Sequence, residues 1–181
     1  DKINYDKCLF FPPSFYEENN INFLNNQKIT YVDFKKKTLR STKDVIFSYD
    51  KLLITTGSIN RKYNLEGLSE KISANMIYLR NIEDSLNIRE KLLSSNKILI
   101  IGGGFIGLEI ASAASQLGKK VIIVEMAEHL MGRVVPNQIS KIFQKTHEDN
   151  GCEFYLGEII EKITKKDKQF EVKLRSGAII N

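Results

Sequence analysis

Three glycines between two apolar runs constrain this chain more than any other feature. Ile98, Leu99, Ile100 and Ile101 form a continuous apolar run, which suits a strand of a parallel sheet buried on both faces. Gly102, Gly104 and Gly107 follow where strand should give way to helix, with Gly103, Phe105 and Ile106 between them. In a G-x-G-x-x-G turn the first glycine permits a sharp bend and the second lets backbone approach a pyrophosphate. The third brings the helix close to the strand. A glycine turn alone is weak evidence. Here it opens a helix that Gly118 can cap, and a second apolar run, Val121–Val124, leads to Glu125. Unpaired N–H groups at a helix N-terminus attract phosphates, and an acid at the end of the second strand can accept hydrogen bonds from a ribose diol. The pattern points to a dinucleotide.

Charge selects which one. A 2′-phosphate would face Glu125, with Glu128 adding a second negative charge nearby, so NAD is expected over NADP. His129 and Arg133 follow closely enough to leave a basic partner open. Glu109 stands among Phe105, Ile106, Leu108, Ile110, Ala111, Ala113 and Ala114, so it is expected to be mostly buried on a helix apolar nearly all round. A buried carboxylate needs a partner. The helix dipole is one candidate; the nicotinamide end of the cofactor, or a lysine elsewhere, is another.

The rest of the chain divides by pattern. Ile21–Leu24, Lys28–Asp33, Thr38–Arg40, Val45–Phe47 and Lys51–Thr55 read as short strands, and no helix is expected between Ile21 and Gly57. Residues 58–74 read as an irregular crossing. Asn81 should cap a helix bearing Ile82, Leu86 and Leu93 on one stripe. Pro136 should open another, with Ile139, Ile142 and Phe143 on one face and Asn150-Gly151 ending it. Cys152–Leu156, Ile159–Thr164 and Gln169–Leu174 read as strands, the last two joined by a Lys165–Lys168 hairpin turn. The net charge of +5 comes from scattered lysines without the aromatic interleaving that nucleic-acid binding favours. Cys8 and Cys152 fit neither a metal pattern nor a disulfide framework, so reduced thiols and a cytoplasmic setting are expected. No metal site is expected, and His129 and His147 read as surface residues.

Taken in order, YDKLLITTGS, YLRNIEDSLNIREKL, the glycine unit, HLMGRVVP and HEDNGCEFYLG closely resemble the two-dinucleotide-domain flavoprotein reductases. The NADH-dependent ferredoxin reductases that serve oxygenases are the best match. The resemblance implies an α/β fold: a Rossmann-like, doubly wound NAD domain inserted in a similar FAD domain, of which only a β-rich part is present. Residues 1–70 would be the C-terminal part of the first half of the FAD domain. Residues 71–181 would be the NAD domain, truncated before its last strand. Thr55, Thr56 and Gly57 match an Ala-Thr-Gly turn beside the flavin nucleotide. Arg61 matches a position that touches FAD, and Ile29 one that meets its adenine portion through backbone. Glu109 matches a catalytic glutamate near the nicotinamide, and Arg133 a residue that helps hold NADH. The implied cofactors are FAD and NAD, and the implied partner is a ferredoxin-type iron–sulfur protein. The family's own FAD glycine motif does not occur here, so the chain is expected to be an internal fragment that does not hold FAD tightly by itself. A disulfide, rubredoxin or oxygen-reducing relative, or an apoptosis-inducing-factor-like signalling flavoprotein, stays open.

Overall fold

The computed structural model describes residues 8–63, 65, 68–166 and 169–181. It forms two compact units, Asp1–Gly57 and Ser58–Asn181. In the first, helix α1 (Pro13–Glu18) precedes three antiparallel strands, β1 (Ile29–Asp33), β2 (Thr38–Ser41) and β3 (Ile46–Ser48), in that order across the sheet. The β1–β2 turn is fixed by Asp33, whose Oδ1 accepts from the amides of Lys35 and Lys36 at 3.0 and 2.9 Å, an Asx-type turn.

Two expected strands in this unit do not form. Ile21–Leu24 instead folds back on α1: the Ile21 amide donates to the Tyr16 carbonyl at 2.7 Å, and Phe23 stacks on Tyr16 with ring centroids 4.8 Å apart. Aromatic contact and a helix-end hydrogen bond outcompete strand pairing there. Lys51–Thr55 finds no partner strand among the described residues, and Leu53 and Ile54 stay 84% and 58% exposed.

The second unit is built on a parallel sheet of β4 (Lys97–Ile101), β5 (Lys120–Glu125) and β6 (Cys152–Leu156), in spatial order β4-β5-β6. The helices are α2 (Glu70–Ser73), α3 (Ile82–Ser94), α4 (Phe105–Gln116) and α5 (Asn137–Asp149), and an antiparallel meander of β7 (Ile160–Lys166), β8 (Gln169–Leu174) and β9 (Ile179–Ile180) closes the order. Of the expected Lys165–Lys168 hairpin turn, Asp167 and Lys168 lie outside the described residues, as do residues 64, 66 and 67 of the expected crossing.

Strand periodicity explains the layering. Side chains alternate faces along a strand, so Val121 and Ile123 of β5 meet Ala111 and Ala114 of α4 and Leu92 of α3. Ile122 and Val124 point the other way, into a cluster with Ile72 of α2 and Ile160, Ile163, Val172, Leu174 and Ile180 of the meander. All four β5 residues are at most 3% exposed, as a central parallel strand requires. The architecture is α/β as expected, with the second face covered by a β-meander and the short α2.

Helix α3 begins at Asn81 with a full capping box: Asn81 Oδ1 accepts from the Asp84 amide at 2.8 Å, and Asp84 Oδ2 accepts from the Asn81 amide at 3.1 Å. Its buried stripe is not the expected one. Leu92 and Ile88 pack on the sheet, whereas Leu86 and Leu93 are 36% and 59% exposed. Ile88 and Leu92 are spaced i, i+4 and share a face, and the stripe of Ile82, Leu86 and Leu93 lies about a third of a turn around the helix from it. Helix α5 is likewise turned from expectation: Ile139 and Ile142 are exposed, and Ser140 is its buried residue.

Candidate functional site

Each glycine of the turn at the end of β4 has its own structural reason. Gly102 adopts φ +107°, a conformation open to glycine and strained for other residues. A Cβ on Gly107 would run into the Gly102 carbonyl oxygen and approach Ile100 Cγ2 at 3.3 Å, so the helix can lie this close to the strand only without a side chain. Gly104 differs, because a Cβ there would meet nothing within 4 Å. Gly104 is the N-cap of α4 and offers no side-chain hydrogen bond to the first turn. The space a Gly104 side chain would fill, at the start of this helix, is open. That combination fits a pyrophosphate.

Glu125, at the end of β5, is tied directly to the same turn. Its Oε2 accepts from the Gly103 amide at 2.6 Å and its Oε1 from the Ala127 amide at 2.8 Å. The carboxylate is held by backbone, half-buried, with further lone pairs to receive ribose hydroxyls. The site residues Gly102, Gly103, Gly104, Phe105, Ile106, Gly107 and Glu125 therefore form one local unit. Arg133 is exposed on the loop that follows β5.

Glu109 is not buried, contrary to expectation. Helix α4 is covered along Leu108, Ala111 and Ala114 only, leaving Phe105 and Ile106 at 55% and 57% exposure. Phe105 and Glu109 lie one turn apart on the open side, where they line a groove of about 330 Å³ with Met131, Phe143 and His147. His147 is half-buried on α5 and was not distinguished from surface by its sequence neighbours; its i, i+4 spacing from Phe143 is the signal that places both on this groove. Desolvation holds its imidazole below the ordinary histidine range, and the Glu109 carboxylate partly opposes that shift. Cys152, with Sγ 4.0 Å from His147 Nδ1, has its thiol pushed up by burial.

Of the residues matched to flavin contacts, Ile29, Thr55, Thr56 and Gly57 belong to the first unit and Arg61 to the second. Ile29 is 38% exposed on β1 and paired with Ser41. Thr55, Thr56 and Gly57 are exposed at the end of the first unit, Gly57 with φ +73°, and Arg61 is exposed in the second. The described residues here provide no second glycine turn with a helix behind it.

The model of a family described as pyridine nucleotide-disulphide oxidoreductase matches residues 7–181. Rubredoxin-NAD(+) reductase of Pseudomonas putida is 37% identical over 145 residues, covering 80% of this chain and 37% of that protein. The chain thus spans well under half the length of the curated relatives it matches, 41% and 42% in two further cases. Among solved structures, a ferredoxin reductase from Rhodopseudomonas palustris superposes with a TM-score of 0.81 at 27% identity, over 95% of this chain and 42% of that one. A covalent putidaredoxin reductase–putidaredoxin complex gives a TM-score of 0.80 at 25% identity, over 99% of this chain and 44% of that one.

Proposed function

The chain belongs to the pyridine nucleotide-disulphide oxidoreductase family, and on that premise we propose that it serves an NADH-dependent, FAD-containing ferredoxin reductase. Residues 71–181 are assigned to NAD and residues 1–70 to the flavin domain. When bound, NADH supplies a hydride, and FAD takes the electron pair and hands electrons on singly to an iron–sulfur protein. The observation that carries this reading is the Glu125–Gly103 hydrogen bond, which joins a ribose-accepting carboxylate to an open phosphate turn.

The chain's own residues do the following. Gly104 and the first amides of α4 receive the pyrophosphate, while Glu125 accepts from the adenosine ribose diol. A 2′-phosphate at that position would meet the Glu125 charge and Glu128 beyond it, so NADH is preferred to NADPH. Phe105 and Glu109 flank the nicotinamide end, and Arg133 contributes from the loop after β5. Thr55, Thr56, Gly57, Arg61 and the Ile29 backbone supplement flavin binding. A cytoplasmic setting is part of the proposal and rests on the two cysteines alone.

NADH-driven reduction of ferredoxin-type one-electron acceptors by the FAD-loaded protein tests the reading. Activity with NADH and little with NADPH is expected; no reduction of any one-electron acceptor overturns it. A rubredoxin-type acceptor is the second reading, favoured by the 37% identity to rubredoxin-NAD(+) reductase, and parallel assays with both acceptors separate the two.

A further inference from the structure

The loop from Met126 to Val135 has no regular structure, yet it contains two of the most buried side chains in the unit. Leu130 and Met131 are 0% and 4% exposed. Met131 adopts φ +52°, a left-handed conformation that side-chain-bearing residues rarely take and that must be held by its surroundings. What holds it is visible. The Met131 amide donates to the Gly103 carbonyl at 3.0 Å, and its own carbonyl accepts from the amides of Val134 and Val135 at 2.9 and 3.2 Å. Leu130 packs beside it, with Leu108, Val135, Phe154 and Leu156 around the pair.

Gly103 is the point where this loop meets the phosphate turn. Its amide is taken by Glu125 and its carbonyl by Met131, so the peptide planes on both sides are fixed. A Cβ on Gly103 would lie 2.6 Å from Leu130 Cδ2 and 3.3 Å from Glu125 Cβ. The neighbouring Gly104 has no such neighbours. One glycine is locked in place and the next is open to a ligand. The middle residue of G-x-G is ordinarily free to vary as far as the turn is concerned; here a side chain in the following loop closes it.

We propose that Leu130 and Met131 are positioning residues for the dinucleotide: Leu130 wedges the phosphate turn from behind while the Met131 amide pins the Gly103 carbonyl. Their role is to keep the donors of Gly104 and the α4 N-terminus in the geometry a pyrophosphate requires, so that binding does not have to order the turn. The proposal rests on the NAD reading of this site.

The test is calorimetric binding of ADP-ribose to the FAD-loaded protein, alongside stopped-flow reduction by NADH. ADP-ribose keeps the pyrophosphate and lacks the nicotinamide, so it reports the turn without any turnover. Leu130→Ala is compared with Leu174→Ala, a leucine of equal burial in the meander cluster. Leu130→Ala should weaken ADP-ribose and NADH alike, by about tenfold, with the limiting reduction rate within about twofold of the parent. Leu174→Ala should lower the melting temperature and leave both affinities unchanged. Gly103→Ala should lose affinity through the Leu130 clash, and Leu130→Val, which lacks the δ carbon, should recover part of it in the double variant even where Leu130→Ala does not fold. The inference is overturned if Leu130→Ala binds as the parent does, if Leu174→Ala weakens binding equally, or if Leu130→Val gives Gly103→Ala no relief. A parent protein that binds neither ligand overturns the NAD reading and this inference together; a parent that binds both while the Leu130 variants change nothing overturns this inference alone.

Discussion

Glu125→Gln is the sharpest single perturbation of the candidate site, because it keeps the size of the side chain and removes half of what it does. The carboxylate accepts from two backbone amides, Gly103 at 2.6 Å and Ala127 at 2.8 Å. A glutamine has one carbonyl oxygen, so it can satisfy one amide, and its own NH2 group must face the other. Hydrogen bonds to a charged group contribute about 1.5–3 kcal/mol each, and neutral ones about 1 kcal/mol. Losing one charged bond and weakening the other therefore costs about 3 kcal/mol, close to a hundredfold in a local opening equilibrium. Gly103 is buried, so water does not fully replace the missing partner. Amide hydrogen exchange reads this directly. In Glu125→Gln, exchange at Gly103 or Ala127 should accelerate by about two orders of magnitude, and NADH should bind more weakly. Exchange at both amides within about threefold of the parent would refute the reasoning.

Four other outcomes are expected. Ile123→Ala, at a fully buried position of β5, should destabilise the protein by about 2–5 kcal/mol in urea unfolding. His147 has a depressed pKa in the folded state, so the folded state resists its protonation: stability should fall as pH drops from the ordinary histidine pKa through the lower folded value, and His147→Gln should flatten that dependence. Because Glu109 opposes the depression, Glu109→Gln should lower the His147 pKa further in an NMR titration. The same Glu109→Gln variant should slow flavin reduction more than it weakens NADH binding in stopped-flow measurements, whereas unchanged kinetics would return Glu109 to a helix-dipole role.

The legible parts of the sequence were those with local punctuation. Gly102, Gly107 and Gly118 mark bends or contacts that a side chain would obstruct or strain, and Asn81 and Asp84 close a capping box within four residues. β4, α4, β5 and their order could be read from such signals. What could not be read depends on partners distant in the chain. Ile21–Leu24 has strand-like composition, but the aromatic ring of Tyr16 claims Phe23. Leu52, Leu53 and Ile54 are apolar, and a strand also needs a neighbour to pair with. Glu109 sits on a helix apolar on all sides, and apolarity on all sides does not say which side another element covers. The same limit hid the groove and the roles of Leu130 and Met131, whose contacts run back across more than twenty residues to the glycine turn.

Strand β5 carries one more consequence. Val121, Ile122, Ile123 and Val124 are all buried, and both faces of the strand meet apolar partners. A slip of one residue would exchange the two apolar faces along the middle of the strand and bring a charged side chain, Glu125 or Lys120, to a buried position only at one end, so the four apolar residues alone assign this strand no unique alignment. The alignment is set at its C-terminal end, where Glu125 must reach the Gly103 and Ala127 amides. The residue proposed to tell one cofactor from another is thus also the peg that locks β5 against β4. Changing the cofactor preference by replacing Glu125 alone would loosen that peg, and a route to NADPH through this protein must begin by anchoring the strand some other way.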